Sequence, residues 1–409
     1  MSLHKIIHEQ SELLSPAGDL ERLEMALEYG ADAVYLAGER FGMRSSAVSF
    51  SREEMKKAVE LCHSRGKKLY LTLNTLPRED ELALLPDYLS YAASLPVDAF
   101  IIADLGIMAL AKRYAPNVPL HVSTQLGVTN SATACMLYDM GASRVVLARE
   151  LPLDEIKKIR SNTPADLGIE AFVHGSMCVS FSGRCLLSNY LTGRDANRGE
   201  CAQPCRWKYQ LMEETRPGQY FPVFEDGGTF IMNSNDMRMI EHIPELLDAG
   251  VTSFKVEGRM KSAYYAAIVS KAYRQAIDAA LEGRPLDPKW VEETETVSHR
   301  PYSTGFYFGE PGQSYGKESY SSLAKIVAMV EGDGPEGYAH LTQRNKFCLG
   351  DELELVCPQG DPVCFKLEEM FNAEMQPIDA APHPMMDLYI KLPVKAPRLS
   401  ILRHARAKR

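Results

Sequence analysis

Residues 12–37 read ELLSPAGDLERLEMALEYGADAVYLA. Glu12–Leu14 opens as a short apolar run, Asp19–Tyr29 repeats apolar residues at helical spacing, and Ala33–Ala37 is a second apolar run. Between the last two lies Gly30-Ala31-Asp32, the kind of connector at which a helix stops on Gly and a strand begins. This is one strand–helix–strand unit, and its rhythm recurs. Further apolar runs stand at Lys68–Asn74, Ala99–Ala103, Leu120–Gln125, Arg144–Ala148, Ile169–His174 and Ser253–Val256. Helical patterns separate them at Arg52–Arg65, Glu81–Ser94, Ile107–Tyr114, Ser131–Met140 and Leu153–Arg160, and Gly141-Ala142-Ser143 repeats the connector. Eight strands alternating with helices predict parallel pairing, and eight is the number that closes a barrel. The rival is an open doubly wound sheet, but no G-x-G-x-x-G follows the first strand, which removes its dinucleotide-binding form. The expected fold is a (β/α)8 TIM-like barrel.

The rhythm breaks once, between His174 and Ser253. This interval holds Cys178, Cys185, Cys201 and Cys205, the acidic pair Glu225–Asp226 and the run Thr229–Asn233. An insertion after a barrel strand belongs on the C-terminal face, where barrel enzymes do their chemistry. Beyond the long helical stretch Tyr264–Leu281 and the linker Gly283–Pro288, the pattern turns to alternation broken by Gly, Asp and Pro. Strands are expected at Lys325–Val330, Tyr338–Thr342, Glu352–Cys357, Val363–Leu367 and Asp387–Leu392, forming a small C-terminal antiparallel β-barrel. The chain thus divides into a barrel over residues 1–322, with a cysteine-containing insertion at about 175–228, and a second unit over 323–409.

The 409 residues, 45% hydrophobic and 24% charged, suit a globular protein with a large core. No run of eighteen apolar residues is present, and Met1–Gln10 is polar, so neither a membrane span nor a secretory signal is expected and the protein reads as cytoplasmic. A net charge of −9 does not advertise a nucleic-acid binder. Two local stretches are nevertheless basic: Arg184, Arg194, Arg198, Arg206 and Lys208 against Asp195 and Glu200, and the tail Arg403, His404, Arg406, Lys408, Arg409, whose bland reading is a solvated end.

Nine cysteines are scattered along a chain without the compactness of a disulfide scaffold. Four of them cluster as H-G-S-M-C-x6-C-x15-C-A-Q-P-C-R, so two pairs on one insertion can bring four thiolates to one centre. Thiolates suit zinc, copper(I) or an iron–sulfur cluster; a six-residue spacing is long for a structural zinc pair, and neighbouring arginines would offset an anionic cluster. Cys62 and Cys135 lie in helical patterns and Cys348, Cys357 and Cys364 in the β-rich tail, where packed thiols are expected. Polar rows at the strand ends supply the remaining candidates. Lys255, Glu257, Arg259 and Lys261 alternate and, if extended, share one face; arginine and lysine there suit a carboxylate or phosphate, and the bland alternative is an ion-paired row. His121, Ser123 and Gln125 form a second row, Glu170, Phe172 and His174 a third, and Arg149-Glu150 follows the sixth strand at a similar position. Asn233, Ser234 and Asp236 are candidates to orient substrate, with Asp236 more simply the cap of a helix beginning near Met237. No H-E-x-x-H, no G-x-S-x-G and no Cys–His pairing marks a peptidase.

Several of these stretches carry a resemblance: Glu12 to Gly18, Gly30 to Tyr35, Phe172-Val173-His174-Gly175, Ser182 to Ser188, Cys205-Arg206-Trp207, Met232-Asn233-Ser234 and Glu257-Gly258-Arg259. In these motifs the chain resembles peptidase family U-32, the collagenase-like peptidases, and within it the bacterial tRNA hydroxylation proteins, from about Glu12 into the tail. The resemblance implies an iron–sulfur cluster, most simply 4Fe-4S, on Cys178, Cys185, Cys201 and Cys205. It also implies prephenate-dependent hydroxylation of the tRNA wobble uridine to 5-hydroxyuridine. Prephenate is a small dicarboxylate, so Arg149, Lys255, Arg259, Lys261 and Gln125 become candidate substrate-binding residues. His174, Glu257 and Asn233 become candidate catalytic ones, and the anticodon stem-loop the expected partner. The readings that compete with this are a peptidase, a zinc-stapled RNA-binding or assembly module, and a sister hydroxylase acting on ribosomal RNA or a quinone precursor.

Overall fold

The computed structural model describes residues 7, 9–43, 49–178, 180–207, 211–212, 220–221, 234–311 and 322–405. Eight parallel strands form the barrel: β1 (Glu12–Pro16), β2 (Ala33–Ala37), β3 (Lys68–Leu73), β4 (Ala99–Ile102), β5 (Leu120–Val122), β6 (Ala142–Val146), β7 (Gly168–Ser176) and β11 (Ser253–Val256). They pair in sequence, and β11 joins both β7 and β1, so the sheet closes. The expected eight runs are the eight strands. Strands buried on both faces read as continuous apolar runs because helices cover the outside and side chains fill the lumen. Helices begin where polar caps are available: the Asp19 carboxylate accepts from the Arg22 amide at 2.8 Å, and Ser51 and Glu54 form a reciprocal capping box.

Three elements depart from the reading of the sequence. First, a ribbon of β8 (Leu211–Met212) and β9 (Tyr220–Phe221) lies in the insertion, and β10 (Asp236–Arg238) runs antiparallel to the end of β7 and parallel to β12 (Tyr302–Ser303). Asp236 therefore does not cap a helix. It is a strand residue whose carboxylate accepts from the Arg300 amide at 3.1 Å and its guanidinium at 2.7 and 3.0 Å, both residues buried. Second, the C-terminal unit is antiparallel as expected, but its main sheet stays open. The strands β13 (Ile326–Asp333), β14 (Ala339–Gln343), β16 (Glu352–Val356), β17 (Val363–Lys366), β18 (Met370–Asn372), β20 (Asp387–Ile390) and β21 (Ile401–His404) run in the order β17-β16-β21-β13-β14-β20-β18, a half-barrel. A separate ribbon pairs β15 (Phe347–Cys348) with β19 (Ala380–Ala381). Third, the tail is not a solvated end at Arg403. That residue sits in β21, an interior strand, fully buried, and its guanidinium pairs with Glu293 at 2.8 Å and Glu354 at 2.7 Å. Glu354 belongs to the same sheet, whereas Glu293 ends the helix Pro288–Glu293, so this buried guanidinium fastens the sheet to that helix. Residues 406–409 lie outside the described residues.

None of the nine cysteines forms a disulfide. Cys62 is packed in the core, and burial pushes its thiol up to about 12, whereas Cys364 in β17 is exposed rather than packed. Among the described residues no helix is long and apolar enough to cross a membrane.

Candidate active site at the barrel mouth

The lumen is filled in layers, and its lower layer is ionic. Glu12, Arg144, Glu170 and Ser253 point inward from β1, β6, β7 and β11. Arg144 contacts Glu12 and lies 3.2 Å from Glu170; the Ser253 hydroxyl donates to Glu12 at 3.0 Å, and Tyr70 donates to Glu12 at 2.8 Å. Above them Lys255 pairs with Glu170 at 2.6 Å and lies over the Tyr35 ring at 4.6 Å. Two carboxylates and two cations thus balance in a desolvated space. His121 stands beside this layer, edge-on to Tyr70 at 4.7 Å. Its Nδ1 has no partner among the described residues, and burial holds the ring well below its ordinary pKa.

The upper layer opens into two adjoining cavities. One, about 140 Å³, is lined by Tyr35, Thr72, Asn74, Lys255, Glu257 and Arg259 among others. The second, about 200 Å³, lies under the cysteine segment and is lined by Cys178, Cys185, Cys201 and Cys205 together with Arg149 and Asn197. Met43, Thr124, Gln125, Phe172 and Glu257 belong to both. The fold therefore brings together all four clustered cysteines with Arg149, Gln125 and Glu257, and joins Lys255 and Arg259 to them through the shared wall.

The cysteine segment is seated by specific contacts. Near the end of β7 Gly175 has φ +111°, and a Cβ there would stand 2.4 Å from the Glu257 carbonyl, so the chain passes Glu257 only as glycine. Gly183, φ +72°, lies equally close to the backbone of Gln125. The Glu150 carboxylate accepts from the Ser182 amide at 2.8 Å, and the Asn197 amide donates to the Cys185 carbonyl at 2.9 Å. Arg198 reaches across to Glu81 at 2.8 Å and to the Leu76 carbonyl at 3.1 Å. Arg149 donates to the Ser176 carbonyl at 3.1 Å and hydrogen-bonds Cys178. Burial works against its charge, but Cys178, Glu150 and Glu257 raise its pKa above the ordinary value, so it stays a cation beneath the sulfurs. It lines the cysteine cavity and not the one that holds Lys255 and Arg259.

Other predicted residues are placed elsewhere. β11 ends at Val256 and a turn follows, so the expected four-residue row is broken. Lys255, Glu257 and Arg259 line the mouth, while Lys261 donates to the Ser298 carbonyl at 2.8 Å and lines neither cavity. Arg259 is buried and donates to the Thr72 hydroxyl at 3.3 Å. His174 also leaves the lumen. The pairing of β7 with β11 runs Lys255 to Phe172 and then Val256 to His174, skipping Val173. This bulge adds a residue to the β7 side and re-aims everything after it. His174 consequently lies outside the barrel wall among Tyr265, Tyr273 and Tyr302, with burial pushing its pKa down to about 3. Ser234 donates to the Met177 carbonyl at 2.7 Å and anchors the segment instead of facing substrate. Asn233, Lys208, Glu225, Asp226 and the run from Thr229 lie outside the described residues. Glu150, expected beside Arg149 after the sixth strand, is here a support of the cysteine segment, whereas Asn197 and Met43 carried no signal in the sequence.

A closed barrel whose C-terminal face carries a four-cysteine cavity and a charged mouth defines the class. The sequence profile of peptidase family U32 matches residues 18–317, and that of the peptidase family U32 C-terminal domain matches residues 323–403. The chain belongs to peptidase family U32. Among its relatives, tRNA hydroxylation protein P1 of Bacillus subtilis is 37% identical over 96% of this chain and 94% of that protein. The tRNA hydroxylation protein P of Escherichia coli is 36% identical over 93% and 94% respectively. The 23S rRNA 5-hydroxycytidine C2501 synthase of Escherichia coli is 41% identical over 71% of this chain and 44% of its own length.

Proposed function

We propose that this protein is an RNA-modifying hydroxylase, and specifically that it converts the wobble uridine of tRNA to 5-hydroxyuridine in a prephenate-dependent reaction with an iron–sulfur cluster. The observation that carries the reading is the shared wall: one cavity ringed by Cys178, Cys185, Cys201 and Cys205 adjoins a second with arginine, lysine and glutamate at its surface. Nearly full-length relatives named as tRNA hydroxylation proteins support the substrate class.

Four thiols on the wall of one cavity are a donor set that fits a thiolate-ligated cluster. In a cluster the thiolates bind different irons, which suits sulfurs spread around a cavity wall. When bound, such a cluster supplies one-electron redox chemistry at the cavity. The protein's own residues do the rest. Arg149 offsets negative charge beside Cys178, and Arg259 provides the guanidinium for a carboxylate of the co-substrate. Lys255 contributes little to that, since Glu170 already neutralises it. Glu257, in the wall common to both cavities, is the carboxylate placed to orient a bound base and to hold a proton beside it. The base reaches this depth splayed out of a single-stranded loop.

Nucleoside mass spectrometry of tRNA from a deletion strain tests the reading. Loss of 5-hydroxyuridine derivatives, restored by the wild-type gene, is expected; unchanged levels, with any paralogue also deleted, would overturn it. The family's name favours a peptidase as the second reading. Among the described residues neither cavity is lined by a histidine to activate a cysteine nucleophile. Cleavage of gelatin or casein that disappears in Cys178→Ala would restore that reading.

A further inference from the structure

The cysteine segment carries several exposed large apolar side chains, one of which, Phe181, also lines the cavity it covers. We propose that together they form a stacking platform for the unpaired nucleotides of an RNA loop, with Tyr190 at its centre; the inference rests on the RNA reading above. Tyr190 is 83% exposed, Leu186 60%, Trp207 43% and Phe181 42%. Leu186 and Tyr190, four residues apart, stand on one side of the short helix Leu187–Thr192. That helix packs against the turn Pro204–Arg206, which leads directly into Trp207. Singly exposed apolar side chains are ordinary, but a group of them at the rim of a site marks an interaction surface.

Two features select RNA as the occupant. Arg184 and Arg194 are exposed within the same segment and have no ion-pair partner among the described residues. Aromatic faces interleaved with unpaired arginines fit a strand of stacked bases with phosphates alongside. In addition, Phe181 belongs both to the exposed face and to the lining of the cysteine cavity. The platform is therefore continuous with the site, and a loop stacked on Tyr190 delivers its next base past Phe181 towards Gln125 and Glu257.

The test compares wild type, Tyr190→Ala and Tyr190→Trp for binding of a fluorescent anticodon stem-loop and of a blunt RNA duplex of equal charge, with circular dichroism confirming the fold. Tyr190→Ala is expected to weaken stem-loop binding roughly 5- to 150-fold, the loss of one stacked base, while leaving duplex binding unchanged; Tyr190→Trp retains wild-type affinity. Equal stem-loop affinity for wild type and Tyr190→Ala sinks the platform, as does an equal loss on the duplex. So does a change confined to the protein's oligomeric state, which would make the face a protomer contact. If wild type binds and hydroxylates tRNA but Tyr190→Ala does too at undiminished affinity, only the platform falls. If wild type neither binds nor hydroxylates RNA, the proposed function falls with it.

Discussion

Two layers of the same barrel use polar groups in opposite ways. In the lower lumen every charge has a partner: Glu12 and Glu170 face Arg144 and Lys255, and Ser253 and Tyr70 complete their hydrogen bonds. At the mouth the polar groups are left open to the cavities. Cys178 and Cys201 are exposed, and Gln125 Oε1, in the wall common to both cavities, is buried without a hydrogen-bond partner among the described residues. A saturated network holds a shape, whereas an unsaturated one is held in place by its neighbours and left with capacity for a ligand. The difference teaches where to look for stability and where for chemistry.

The largest effect should come from breaking the lower layer. Glu170→Ala leaves Lys255 and Arg144 short of a buried counter-charge and is expected to cost about 3–5 kcal/mol of stability, read as a lowered urea midpoint. A loss near zero would mean that water or a rearranged Glu12 compensates and that the layers differ less than described. The complementary change, Cys178→Ser, should leave the urea midpoint in place. It should also remove the visible absorption of anaerobically purified protein and lower hydroxylation by at least about 100-fold, beyond what loss of an outer-shell partner costs. Equal visible absorption in the variant would remove Cys178 from the ligand set.

The pH dependence sharpens the contrast further. Burial alone would raise the Glu12 carboxyl, but Arg144, Lys68 and Tyr70 override it and hold it below its usual value. A carboxyl held low in the folded state contributes stability that is complete above its unfolded pKa of about 4.3 and is lost as the pH falls through the lower folded one. Glu12→Gln is therefore expected to flatten the loss of stability between about pH 5 and pH 3, by urea unfolding across that range; an unchanged slope would show that other carboxyls govern acid unfolding. The smallest effect is expected at the edge of the cysteine segment. Arg198 and Glu81 form a partly exposed pair, so Arg198→Ala should cost less than about 1 kcal/mol. Its consequence should be local, as faster proteolysis of the segment with the barrel intact; global destabilisation would mean the two layers are coupled.

Much of the barrel was legible because a parallel strand buried on both faces must be apolar throughout, and each helix must end on a polar or glycine signal. The four cysteines were legible for a related reason: soft ligands spaced within one insertion have few other uses. The misses have physical causes as specific. β10 is three residues long, paired between β7 and β12, and its Asp236 is held by Arg300, far along the chain. β21 reads as a basic tail until Glu293 and Glu354 enclose Arg403.

The sequence by itself determined the eight-fold alternation, the interruption after β7 and the set of thiols placed there, since periodicity and composition are local properties. Only the tertiary structure decided which polar residues share the site. A single skipped residue at Val173 turned His174 out of the lumen, a strand that stopped at Val256 separated Lys261 from Arg259, and Glu170 claimed Lys255. Alternation of period two is a rule about an unbroken strand, and bulges, turns and ion pairs between distant segments are what suspend it.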